Sequence, residues 1–301
     1  MIKSNKMEQI RSCGCKGIRT CFYCEKEYKI CKQNFYEKFK QLPSYVYCPE
    51  CDKAWPGWDI DLLNNHPNHT GTPIFYPGVF IKLDFLSHQE SKNLINNLDE
   101  LSWETSQSGR RKQNYGPKCN FKKRKLRLGN FNGFPITTKF VQHKLNNESL
   151  LKNFCTIEQC SLEYTKERGS SIDPHIDDCW IWGERIVTVN VIGDSVLTMT
   201  KFSGPNTKYN LPDLDTYPPV VERQQPNADV IVGDVVIRLP MPARSLMILY
   251  GPSRYEWEHS VLREDIDLRR VCIAYREFTS LSSGKNSHET IEILEKSKNF
   301  W

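Results

Sequence analysis

The sequence predicts a mainly β (α+β) fold with a jelly-roll or sandwich core, flanking helices and a cysteine-rich N-terminal segment. Three observations carry that expectation. Short β-branched runs separated by turn residues crowd residues 186–275, helical periodicity does not alternate with them, and seven of the 12 cysteines fall within the first 51 residues. Strand runs without intervening helices argue against a parallel α/β sheet. At 301 residues the chain sits near the upper size of a single core, so one main domain with appendages is expected. Charged residues make up 26% and hydrophobic ones 39%, too apolar for a disordered chain, and no window approaches the ~18 apolar residues of a membrane span. Cysteines follow the start where a secretory signal would have its apolar stretch, so thiols or metal ligands in a cytoplasmic and nuclear protein are expected.

Segment 1–72 opens with Cys13-x-Cys15 and Cys21-x2-Cys24, four thiolates within twelve residues, and Gly14 and Gly17 permit tight turns between them. That set suits tetrahedral zinc. Cys48-x2-Cys51 offers a second pair, and a ribbon-like site joining it to Cys21 and Cys24 is the alternative; the first four need the least chain ordering. The turn-rich stretch 64–71 sets a boundary near residue 72, after which 78–83 reads as a strand. Ser87 and Glu90 make an N-cap with a capping box, and Leu94, Ile95, Leu98 and Leu101 recur at helical spacing, so a helix runs to about Leu101.

Residues 110–127 carry nine basic side chains and no acidic one, whereas the rest of the chain has 32 basic and 36 acidic residues. Such a stripe meets phosphates or an acidic protein face, or is simply a solvated loop, and its run 122–125 (KKRK) fits a nuclear-import patch. Strands follow at 186–192, 196–199, 235–239, 245–249 and 271–275. Five prolines without periodicity mark 203–230 as a long insertion between two of them. A short amphipathic helix is expected from Ser287 to Leu294, within a tail that spans 281–301.

The chemistry concentrates on a few residues. His175 and Asp177 stand two apart at a strand, hence on one face, and His259 follows 84 residues later. Two imidazoles and one carboxylate make the facial triad that holds non-haem Fe(II) and leaves three coordination positions open. His-x-Asp alone is common by chance. Arg270 and Arg276 sharpen the pattern, because an even spacing puts both on one sheet face and a guanidinium grips a carboxylate bidentately, as an iron-bound keto diacid would require.

Together these residues resemble the AlkB branch of the Fe(II)/2-oxoglutarate dioxygenases, in which His-x-Asp, a distal His and Arg-x5-Arg occur in this order. The similarity extends over most of 76–280: RRKQNYGP at 110–117 resembles a substrate-lid strand, 167–175 the approach to the first ligand, and 242–246 with 254–259 the approach to the last. The resemblance implies a double-stranded β-helix domain over 73–280, with His175, Asp177 and His259 as iron ligands. It makes Arg270 the partner of the distal carboxylate of 2-oxoglutarate, Arg276 the support of its chelating end, and Tyr164 a hydrogen-bonding contact to the cosubstrate, with Gly169 in the turn that follows. Two departures stand out. Leu162, beside Ser161, replaces an asparagine expected two residues before Tyr164, and Cys179 occupies the acidic position four residues after the first histidine, with the carboxylate one earlier at Asp178.

Trp180, Trp182 and Tyr115, with Arg111 on the lid strand, are candidates for a substrate wall beside Asp178, able to hold a methylammonium by cation–π attraction or to stack an extruded base. The implied activity is oxidative N-demethylation with Fe(II) and 2-oxoglutarate, of methylated lysine in actin first and of N6-methyladenine in DNA second. The competing class is a binding module that keeps the fold, does no chemistry, and contacts nucleic acid or actomyosin through 110–127 and the cysteine-rich front.

Overall fold

Residues 186–191 alternate between two apolar environments: Ile186 faces one buried cluster, while Val187, Val189 and Val191 face another. A strand with period-two side chains that is apolar on both faces must be covered on both. In this protein one face meets a second sheet and the other meets helices. The structure, a computed structural model, describes residues 10–221, 233–279 and 288–301.

Its strands in chain order are β1 (Ser44–Cys48), β2 (Lys53–Pro56), β3 (Val79–Lys82), β4 (Glu104–Thr105), β5 (Arg111–Tyr115), β6 (Lys118–Asn120), β7 (Lys125–Arg127) and β8 (Glu158–Tyr164). There follow β9 (Ile172–His175), β10 (Trp182–Ile192), β11 (Ser195–Lys201), β12 (Val236–Met241), β13 (Leu246–Leu249), β14 (Trp257–Val261) and β15 (Arg270–Phe278). The major sheet runs β3-β13-β10-β15-β8-β5-β4, the minor one β2-β1-β12-β11-β14-β9, and β6 pairs with β7 as a separate hairpin. Two mainly antiparallel sheets around one interior make the jelly-roll core that the sequence predicts.

The α-helices are α1 (Phe22–Tyr28), α2 (Phe35–Lys40), α3 (His88–Asp99), α4 (Lys139–Leu145), α5 (Gly251–Tyr255) and α6 (His288–Lys296). At α3 the Ser87 hydroxyl accepts from the Glu90 N–H at 3.1 Å and the Glu90 carboxylate accepts from the Ser87 N–H at 2.7 Å, the capping box read from the sequence. Leu94 and Leu98 of α3, with Val141 and Leu145 of α4, bury against the outer face of the major sheet. Each such side chain contributes about 1.5–3 kcal/mol when fully buried. On the outer face of the minor sheet, Phe39 of α2 packs with Val236 and Leu262.

The sheet crosses residue 72. β1 runs parallel to β12, with Tyr45 opposite Ile237, and β2 closes that edge, so the front of the chain extends the minor sheet instead of standing apart from it. The tail is also part of the body, since Ile293 lies in the interior cluster and the chain end pairs Phe300 with Phe134. Ser287 and residues 281–286 of that tail, like 222–232 of the proline-rich insertion, lie outside the described residues.

Candidate active site

β9 and β14 are neighbours, and their register sets His175 directly opposite His259. The two ring centroids are 4.3 Å apart. Two residues beyond His175 the chain turns Asp177 toward them, and one ligand atom from each of the three lies within 4.8 Å of the others. The Nδ1–H of His175 donates to the Asp173 carbonyl at 2.9 Å, which leaves Nε2 as the nitrogen for a metal. Burial pushes the His259 imidazole down to about 3 and lowers that of His175 too, so both are neutral bases. Burial alone would raise the Asp177 carboxyl, but the Arg276 guanidinium beside it holds it well below the usual carboxylate range.

Arg276 donates to Asp177 Oδ1 at 3.2 Å and to Glu158 Oε2 at 2.6 Å. Asp177 Oδ2 is buried without a hydrogen-bond partner. An ionised oxygen left in that condition is costly unless a cation meets it. Neutral imidazole nitrogens and one carboxylate oxygen, oriented from behind by a carbonyl and a guanidinium, fit a ferrous ion.

Along β15 the partners on β8 are Tyr164 for Arg270 and Glu158 for Arg276, so both arginines face the interior as their spacing predicts. Arg270 is 1% exposed; its Nε donates to Asn190 Oδ1 at 2.9 Å, its guanidinium lies 4.7 Å from the Tyr164 ring centroid, and Nη1 has no partner. No carboxylate of the described residues pairs with it. A buried guanidinium with a free edge is a receptor for the distal carboxylate of a diacid. The Asn190 amide is fixed in turn by donating to Gly193 and Met241 carbonyls.

No family model matches the chain. A human protein named alpha-ketoglutarate-dependent dioxygenase alkB homolog 4 is 37% identical over 91% of this chain and 88% of its own, and the mouse protein of the same name is 34% identical over 100% and 98%. The chain belongs to the AlkB family. A Caenorhabditis elegans relative, named DNA N6-methyl adenine demethylase, is 30% identical over 95% of this chain and 91% of its own. The protein is therefore an Fe(II)/2-oxoglutarate-dependent dioxygenase, and the purely binding alternative falls away.

The substrate residues expected of this AlkB-family chain divide. Asp178 is half-buried next to the triad and accepts from the Asn210 amide at 2.8 Å; Trp180 and Trp182 are buried in the interior, with Arg276 5.7 Å from the Trp182 ring centroid. Arg111 is a correction. Its partner on β8 is Glu163, which is opposite Val271 on the helix-covered face, and there it makes an ion pair with Glu163 and lies over Trp103. It faces away from the iron triad, while the positive charge of Arg110, one residue earlier, acts on the buried Tyr164 phenol. Tyr115 is half-buried against the interior cluster that holds Trp180 and Trp182, and it stands edge-on to Trp301 with ring centroids 5.8 Å apart.

The sequence does not single out four residues that the AlkB site uses. Glu158 and Asn190 hold the two arginines, and Lys32 pairs with Asp173 at 2.8 Å. Arg254, 2% exposed, donates to the carbonyls of Asp177, Trp182 and Gly183 and so braces the loop after the second ligand. A readable signal existed at Asn190, an amide amid β-branched residues, since a buried amide must find partners. The described part of the 203–230 insertion is no plain surface loop: Tyr209 accepts the Cys179 N–H at 2.9 Å, which docks it on the iron-site loop.

Cys13, Cys15, Cys21 and Cys24 do converge, with sulfurs within 4.8 Å of one another and 3.8 Å between Cys21 and Cys24. Gly14 has φ +83°, and a Cβ there would strike the Ser106 backbone at 2.8 Å. The alternative ribbon site is ruled out, because Cys48 and Cys51 lie with His66 and His69 rather than with Cys21 and Cys24.

Proposed function

We propose that this chain is an oxidative N-demethylase in which His175, Asp177 and His259 hold Fe(II) and Arg270 receives the distal carboxylate of 2-oxoglutarate. The carrying observation is the pair of orphaned buried groups, Asp177 Oδ2 and Arg270 Nη1, presented to one interior that the triad and both arginines share. Iron and 2-oxoglutarate, when bound, supply the O2 activation that oxidises an N-methyl group, with succinate, carbon dioxide, formaldehyde and the free amine as products. The protein's own side chains do the positioning. Arg276 fixes one Asp177 oxygen, the Asp173 carbonyl fixes the His175 tautomer, Tyr164 stacks on Arg270, and Trp182 keeps water from the Arg276 side.

For substrate, methylated lysine in an acidic protein such as actin comes first. Asp178, one residue from an iron ligand, is a carboxylate suited to a methylammonium, and the β6–β7 hairpin presents Lys118, Lys122, Lys123, Arg124, Lys125 and Arg127 exposed to an acidic face. Among the described residues only Arg124 of these has an ion-pair partner, Asp213 of the loop that covers Asp178. N6-methyladenine in DNA is the second reading, favoured by the name of the worm relative. Mass spectrometry of a methyl-lysine actin peptide and an N6-methyladenine oligonucleotide, incubated side by side with the iron-loaded protein, tests both. Loss of methyl from the peptide alone supports the first, from the oligonucleotide alone the second, and from neither overturns both. Cys13, Cys15, Cys21 and Cys24 are proposed to bind a structural zinc that holds α1 against the turn around Gly169, where a Cβ would meet Phe22 at 2.8 Å.

A further inference from the structure

Cys48 ends β1, Cys51 lies in the turn to β2, and His66 and His69 follow the 3-10 turn Ile60–Asn65. Their ligand atoms lie within 4.8 Å of one another, and no residue is shared with the four-cysteine cluster or the iron triad. Cys48 Sγ is 3.7 Å from His66 Nδ1. A tetrahedral zinc with ordinary bond lengths sets that edge at about 3.6 Å.

The surroundings suit thiolates and a metal-facing imidazole. The Trp55 indole N–H donates to Cys51 Sγ at 3.2 Å. The His69 ring stacks on Trp55 with centroids 4.8 Å apart, and its Nε2 is buried without a partner. Two soft sulfurs and two imidazoles with no fifth donor among the described residues make a closed, structural shell.

We propose that Cys48, Cys51, His66 and His69 bind a second zinc ion, which clips the β1–β2 hairpin to the returning loop 57–73. The spacing Cys-x2-Cys-x14-His-x2-His is one residue tighter between the histidines than usual, which the stacked His69 ring accommodates. The position explains the clip. β2 is the outer edge of the minor sheet, a backbone row open to wrong pairing, and an isolated backbone bridge from Ala54 to Ile74 and the Trp55–His69 stack tie the loop to it. A metal crosslink there covers the edge and fixes the strand pair that extends the sheet.

Zinc content of the purified full chain tests the proposal, read by elemental mass spectrometry after dialysis against a mild chelator. The wild type is expected to hold one zinc more per chain than the variant Cys51→Ser/His69→Ala. Cobalt exchanged into the wild type is expected to show, after subtracting that variant, the spectrum of a two-sulfur, two-nitrogen tetrahedron. Should the double variant fail to fold, His66→Cys keeps four ligands and is expected to retain the metal with stronger sulfur-to-cobalt absorption. Equal zinc in folded wild type and double variant, an unchanged cobalt spectrum in His66→Cys, or a native Cys48–Cys51 disulfide found by peptide mapping would each overturn it.

Discussion

Lys32 donates to the Asp173 carboxylate at 2.8 Å, and the Asp173 carbonyl accepts from His175 Nδ1 at 2.9 Å. The cysteine-rich front therefore reaches His175, the first of the proposed iron ligands, through a single intermediate residue. Lys32 also donates to Ser171 at 2.9 Å, and Glu25 of α1 is paired with Arg263 at 2.8 Å beyond β14. Lys32→Met is expected to lower Fe(II) affinity about tenfold while leaving the fold intact, since partners behind a ligand tune its geometry. Metal titration followed by succinate release checks this; unaltered affinity would reduce the front to a passive scaffold.

Arg270 and its lysine replacement separate charge from shape. Arg270→Lys keeps the cation but loses the planar fork, so the KM for 2-oxoglutarate should rise about tenfold, and Arg270→Gln should raise it by about a hundredfold or more. Steady-state succinate release at varied cosubstrate reads both, and equal KM values in all three proteins would remove Arg270 from the cosubstrate site.

Arg110 and Arg111 are neighbours in sequence with different surroundings: Arg111 opens β5 and pairs with Glu163, whereas Arg110 precedes the strand and its charge acts on the Tyr164 phenol. Arg111→Ala should lower Tm by several degrees through the lost Glu163 pair, at about 1–3 kcal/mol, with turnover within about twofold of wild type. Arg110→Ala should do the reverse, raising the KM for 2-oxoglutarate with little change in Tm. Thermal scans beside kinetics decide; a turnover defect specific to Arg111→Ala would return that residue to the substrate wall.

Glu163, 1% exposed, is gripped by Arg111, Arg168 and Arg269. Burial pushes its carboxyl up, but the arginines outweigh burial and hold it below the ordinary value of 4.5. A depressed carboxylate contributes stability that is fully present above its unfolded pKa and lost as pH falls through its folded one. The Tm gap between wild type and Glu163→Gln should therefore be widest near neutrality and close as pH drops below 4.5. A gap that stays constant from neutral to acid conditions would contradict the ionised cluster.

Much of this molecule is legible from local pattern. The capping box at Ser87 and Glu90, the β-branched runs of β10 and β15, and the even spacing of Arg270 and Arg276 each report a periodicity of a few residues, which sequence displays directly. What escapes is non-local or depends on parity. Parallel pairing of β1 with β12 joins residues nearly two hundred apart, and no local feature of Tyr45 or Val46 announces Ile237 or Arg238 as partner. Arg111 fails by one residue, because a strand's starting register decides which of two adjacent arginines faces inward. His66 and His69 look like turn punctuation until the fold brings them to Cys48 and Cys51.

The central claim is that His175, Asp177 and His259 act as one iron site served by 2-oxoglutarate. Formaldehyde and succinate released per 2-oxoglutarate consumed, measured for wild type and for folded His175→Ala and His259→Ala, tests it most directly. Equal stoichiometric release in the wild type and none in either variant is the predicted result; undiminished release in either variant would contradict it.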